Sequence, residues 1–156
     1  MNAFRKNACR AFVALAVILG GTLVSAPSAS AAGYGCSGSL IDTYDVRTNA
    51  GSGTLFGHVY LYYNSSNGVN CAVNVSNSAG GYGTAKYMYM SINKCTQTSP
   101  SSTCSITTRD EDSSQSYTQY AGPVSVTSPN NCILISAAIN YNGRVAQANT
   151  GATHCG

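Results

Sequence analysis

Residues 54–75 read TLFGHVYLYYNSSNGVNCAVNV. Within HVYLYY the side chains alternate, Val59, Leu61 and Tyr63 to one side and His58, Tyr60 and Tyr62 to the other. After NSSNG, Cys71, Val73 and Val75 alternate with Ala72, Asn74 and Ser76. A period of two belongs to an extended strand with one face covered. Asn67-Gly68 supplies the positive φ of a tight turn, so the pattern predicts a β-hairpin over 54–76.

The same period recurs after this unit. In 86–93, Met88, Met90 and Ile92 share one face and Tyr87, Tyr89 and Ser91 the other; Val124 and Val126 mark a short strand after Gly122-Pro123. CILISAAI at 132–139 is apolar on both faces, as a central strand should be. Asn142-Gly143 turns it into 144–149, a second hairpin. No i, i+3, i+4 apolar pattern is sustained after residue 31, and Ser, Thr, Tyr and Val abound. Seven or eight short strands separated by turn residues predict an all-β domain, an antiparallel β-sandwich stapled by disulfides, with a small β-barrel as the alternative. The polar stretches 96–103 and 110–116 read as loops.

The first 31 residues have the layout of a secretory signal: Arg5, Lys6 and Arg10, then AFVALAVILGGTL, then small residues ending Ala29-Ser30-Ala31. The apolar run is shorter than the roughly 20 residues that span a bilayer. Cleavage after Ala31 leaves 32–156 as one exported domain without a membrane span. Of the 8 basic residues in the chain three leave with the signal, so five remain against 5 acidic ones and the net charge is zero. Arg47, Lys86, Lys94, Arg109 and Arg144 are scattered, which excludes an electrostatic footprint for nucleic acid. A neutral surface favours self-association.

Of the 7 cysteines, Cys9 lies in the signal. Cys36, Cys71, Cys95, Cys104, Cys132 and Cys155 remain, an even set that reads as three disulfides in an exported domain. Closely spaced zinc-ligand pairs are absent. Cys95 and Cys104 flank the polar turn TQTSPSST, which brings them together; Cys36–Cys71 and Cys132–Cys155 are the next pairings, although six cysteines leave 15 connectivities open on sequence alone.

Catalytic equipment is sparse. The sharpest enzymatic arrangement makes His58 a general base with a partner among Asp110, Glu111 and Asp112; the plainer one puts His58 on a solvated strand face and the acids in a loop. No Gly-x-Ser-x-Gly elbow marks a nucleophile, and the acidic run lacks the spacing of a calcium loop. These absences predict a non-enzyme without cofactor or metal. His154, beside Cys155, reads as exposed. The chain has 11 tyrosines and no tryptophan. Tyr60, Tyr62, Tyr87 and Tyr89 alternate with aliphatic residues and form an outward tyrosine patch if their strands are neighbours, suited to contact with polymers or proteins. The ordinary role of such rings is cross-strand packing.

The 54–75 stretch, DSSQSYTQYAGPVSV at 112–126, Cys132 and the terminal Cys155-Gly156 together resemble the spore-associated protein A family, small secreted proteins of filamentous actinobacteria. The similarity runs from about Cys36 to Cys155. It implies a product of the spore or cell surface, with an envelope component as partner, and no catalytic residue to carry over. It also implies that Cys36, Cys71, Cys132 and Cys155 are the family's cysteines and that Cys95 and Cys104 are a local addition bonded to each other. The chain departs from the resemblance after Cys132, where Ile133, Leu134 and Ile135 replace an expected tryptophan. The alternative from another class is a small secreted protease or glycosidase inhibitor presenting the stapled loop 96–103.

Overall fold

The computed structural model describes residues 33–156; the predicted export segment 1–31 lies outside the described residues. Eight strands follow a 3-10 turn at Gly33–Gly35: β1 (Ser39–Arg47), β2 (Leu55–Asn64), β3 (Val69–Ser76), β4 (Lys86–Cys95), β5 (Ile106–Tyr117), β6 (Tyr120–Thr127), β7 (Ile133–Tyr141) and β8 (Arg144–Asn149). They form one antiparallel sheet in the order β5-β4-β7-β8-β1-β2-β3-β6. Both expected hairpins are present, β2–β3 about Asn67-Gly68 and β7–β8 about Asn142-Gly143. β7 is an inner strand, as its apolar faces predict.

The fold is all-β, and its connectivity is that of a nearly closed barrel, since the sheet curls until its edge strands β5 and β6 meet. The barrel is flattened. Asn74, pointing inward from β3, crosses the core and donates from Nδ2 to the Tyr89 and Ala138 carbonyls of the facing β4–β7 pair, each at 3.0 Å. Around it Val59, Leu61, Met88, Met90, Ile92, Ile133, Ile135 and Ile139 are fully buried. Burying each of these side chains contributes about 1.5–3 kcal/mol.

The edges are held by side chains. Asp112 Oδ2 accepts the Gly122 N–H at 2.7 Å, and Asp110 Oδ2 accepts the Ser125 N–H at 2.8 Å. These carboxylates take amides of β6 that lack a ladder partner on that side. The acidic run 110–116, expected as a loop, is therefore part of strand β5. Its alternation is carried by polar groups, Asp110 and Asp112 facing as Ile92 and Met90 do, and hydrophobicity could not reveal it.

The ladder lapses a second time between β1 and β8, which pair only at Arg47↔Gln147. The C-terminal tail runs on beyond β8 along β7, Ala152 pairing with Ser101 and Thr153 with Ile133, and a cavity of about 380 Å3 lined by Tyr44, Asp45 and residues 147–150 remains between β1 and β8. All three disulfides have the expected pairing, Cys36–Cys71, Cys95–Cys104 and Cys132–Cys155. The first lays the N-terminal segment over the outside of β3, the second ties β4 to the start of β5, and the third anchors the tail to β7.

Candidate functional site

The outer face of β2, β3 and β6 carries a shelf of aromatic rings. Tyr60 and Tyr62 leave β2 opposite Val73 and Cys71 of β3. The Cys36–Cys71 disulfide pulls residues 33–36 across them, and Tyr34 adopts a left-handed backbone (φ 61°) to lie on the face. Its ring stacks on Tyr60 (centroids 6.2 Å apart, 16° between planes) and tilts against Tyr120 (5.2 Å, 60°). Tyr62 is buried beneath, while Tyr60 and Tyr120 are half-buried. Tyr34 remains 41% exposed and Tyr82, from the loop after β3, 51%. Partial burial, then the phenols of Tyr60, Tyr82, Tyr62 and Tyr120, push the Tyr34 hydroxyl above its ordinary pKa. Beside Tyr120 runs a groove of about 340 Å3 lined by Ser116, Tyr117, Thr118, Gln119 and Gly122.

Tyr87 and Tyr89 sit elsewhere. β4 is separated from β2 by β7, β8 and β1, so the two tyrosine pairs do not merge into one patch. Tyr89 is half-buried, its hydroxyl accepting from Arg109 (2.5 Å) and facing Glu111 (3.4 Å). The shelf instead recruits Tyr34, Tyr82 and Tyr120 to Tyr60 and Tyr62. Tyr34 could have been found from the cysteines: two residues before Cys36, it must land near Cys71 and hence near Tyr62.

The histidines have other partners than those expected. His58 lies across the β1–β2 pair from Asp45, Nδ1 3.1 Å from Oδ1 but out of line for a hydrogen bond, and Asp45 also holds Arg47 at 2.8 Å. Asp110, Glu111 and Asp112 are on β5, separated from β2 by β3 and β6, so no His58 dyad with them is assembled. His154, expected to be exposed, keeps only 25% of its side chain in solvent. Its Nε2 lies 2.8 Å from the Tyr44 hydroxyl and 3.1 Å from Asp42 Oδ2. Burial, then hydrogen bonding to Asp42, drives the Tyr44 phenol well above its ordinary pKa. Partial burial alone would raise Asp42, but the Thr43 amide, Tyr44 and His154 together hold it below the usual carboxylate range. A phenol with a raised pKa is a poor acid and a carboxylate with a lowered one a poor base, so this network ties the tail to β1 and is poorly suited to proton transfer. Sequence could not reveal it, because 110 residues separate Tyr44 from His154.

Loop 96–103 is held from both ends: Thr96 N–H donates to Ser105, Gln97 accepts from the Ser105 and Cys132 amides, and Ser101 pairs with Ala152, leaving Thr98–Pro100 exposed. Among the described residues no three His, Cys, Asp or Glu side chains converge as metal ligands, and no helix is long and apolar enough to cross a membrane.

No protein-family model matches the chain, and no solved structure matches it. Spore-associated protein A of Streptomyces coelicolor is 32% identical over 124 residues, covering 77% of this chain and 71% of that protein. Identity of that degree over most of both sequences shows that the chain belongs to the spore-associated protein A family.

Proposed function

We propose that the protein is exported through the 1–31 segment as a single domain and acts without catalysis at the spore or cell surface, contacting an envelope component through its tyrosine-bearing outer face. The relative's name supports the location. The non-catalytic part rests on one observation, the engagement of all 5 carboxylates. Asp110 and Asp112 bind β6 amides, Asp42 binds His154, Asp45 binds Arg47, and Glu111 pairs with Arg109. The one carboxylate hydrogen-bonded to a histidine, Asp42 on His154, leads only to the Tyr44 phenol, whose raised pKa keeps it protonated and a poor nucleophile.

Co-sedimentation of the exported protein with isolated spore envelopes and with vegetative walls, across salt, tests this reading. Saturable, salt-resistant binding is expected, because the mature domain carries no net charge to be screened; absence of binding to either overturns it. An inhibitor remains the second reading, favoured by the rigidly tethered, exposed tip of loop 96–103. It requires inhibition of a protease or glycosidase that disappears in Cys95→Ser/Cys104→Ser while the fold persists.

A further inference from the structure

We propose that the Tyr34 shelf and the adjoining 116–122 groove bind a neutral polysaccharide chain, the rings stacking on the C–H faces of successive sugars and the groove hydrogen-bonding their hydroxyls. This deepens the surface reading above and rests on it.

Four features select that ligand chemistry. The first is ring presentation. Tyr34 and Tyr82 offer exposed aromatic faces with polar tips, a combination that suits a ligand with an apolar face and a hydroxylated rim. The second is preorganisation. Tyr34 is fixed by the Cys36–Cys71 disulfide, by stacking on Tyr60 and by contact with Tyr120. Its left-handed backbone is uncommon for a tyrosine and persists because these contacts hold it. Little ring freedom is left to lose on binding. The third is neutrality. Ser116, Thr118 and Gln119 line the groove with uncharged donors and acceptors, and Asp112 is turned to the Gly122 amide and Tyr117. The cation nearest the groove, Lys86, is buried and its ammonium already donates to the Gly81, Thr84 and Thr118 carbonyls, so it leaves a polyanion no free donor to replace its lost hydration.

The fourth is extent. A protein partner needs about 800 Å2 on each side, with an apolar centre. Of the other exposed large apolar side chains, Leu40, opposite Tyr62 on β1 with Ile41 next to it, adds only a narrow margin at the shelf's edge, while Ile106 and Val145 lie on β5 and β8. An aromatic strip beside a polar groove fits one extended chain of sugars better than a protein surface.

The probes are β-1,4-linked hexamers of glucose and of N-acetylglucosamine, with polyglutamate as the charged comparison, titrated into the exported protein and read by calorimetry and tyrosine-ring resonances. At least one hexamer is expected to bind and to shift Tyr34 and Tyr82. Loss of one stacking ring in Tyr34→Ala should weaken affinity about tenfold; Tyr34→Phe should keep it, Tyr82→Ala should weaken it, and Val145→Ser on β8 should leave it unchanged. Tyr82 is an exposed loop residue, so its variant reports on binding even where Tyr34→Ala disturbs the N-terminal segment. Failure of both hexamers to bind, binding that survives Tyr34→Ala/Tyr82→Ala, or preference for polyglutamate overturns the proposal. The envelope assay separates the two levels. Wild-type protein that sediments no better than Tyr34→Ala/Tyr82→Ala leaves the surface role standing and removes this site, whereas wild-type protein that does not sediment removes the surface role itself.

Discussion

Replacing Asp112 by asparagine tests how the two edges of the sheet are held together. The carboxylate accepts two hydrogen bonds, from Tyr117 Oη at 2.5 Å and from the Gly122 amide at 2.7 Å. Bonds to a charged acceptor contribute about 1.5–3 kcal/mol each, neutral ones about 0.5–1.5. Asparagine keeps one carbonyl oxygen, so one neutral bond survives, and the freed donor is near enough to solvent to find water. The net loss is about 2 kcal/mol, a fall of about 6–10 °C in Tm for a domain of this size. Urea unfolding followed by circular dichroism measures the first quantity. A second readout separates the bond from general damage. Tyr117 is pushed up to about 12, chiefly by its hydrogen bond to Asp112 and secondarily by burial. Its raised folded pKa contributes stability that is complete below pH 10.0 and is lost as pH climbs toward 12. In Asp112→Asn one tyrosine should return toward the ordinary value in an ultraviolet titration, and part of the alkaline loss of stability should vanish. Unfolding free energy unchanged within about 0.5 kcal/mol, with an unaltered tyrosine titration, would refute closure of the sheet by this carboxylate.

Removing Cys36–Cys71, which spans 35 residues, should cost about 3.8 kcal/mol, and removing Cys95–Cys104, which spans 9, about 2.6; denaturant midpoints of the paired Cys→Ser variants give the order, and a reversed order contradicts chain entropy as the cause. Asn74→Ala should destabilise by about 2–3 kcal/mol, since two carbonyls lose a donor and a void opens in the core; thermal unfolding checks it. Because Asp42 titrates below its ordinary 3.8 in the folded protein, its contribution is complete above that value and is lost as pH falls through the lowered pKa. His154→Ala should flatten that acid limb and speed amide exchange at Ala152 and Thr153, and unchanged exchange there would show that the tail is held without the histidine.

Strands that bury one face were legible in the sequence because apolar residues recur at a period of two: β2, β3, β4 and β8 fall where HVYLYY, CAVNV, the Met88–Met90–Ile92 series and the Asn142-Gly143 turn put them. β5 was not, since its inward positions are Asp110 and Asp112 and its outward ones Arg109 and Glu111. Both faces read as polar, and the same residues that hide the strand close the sheet. β1 escaped for a related reason. It is largely exposed and lacks β8 along most of its length, so little burial was recorded in its composition. The tyrosine shelf was half legible: alternation placed Tyr60 and Tyr62 outward, whereas Tyr34, Tyr82 and Tyr120 reach them only through the Cys36–Cys71 disulfide and the curl of the sheet.

With 5 acidic residues in 156, where each one goes decides what the surface offers. Two lapses in the hydrogen-bond ladder, between β5 and β6 and between β1 and β8, leave backbone amides and a tail that need partners. Unpaired edges invite pairing with other chains, and here Asp110 and Asp112 cover one lapse while Asp42, through His154, secures the tail across the other. Asp45 and Glu111 neutralise Arg47 and Arg109 on the outer face. Once the acids are so committed, the groups left at the shelf are phenol rings, hydroxyls and amides. The proposed recognition there would work by stacking and neutral hydrogen bonds and be nearly indifferent to salt, whereas binding that collapsed between 50 mM and 200 mM salt would place the contact on the scattered cations instead.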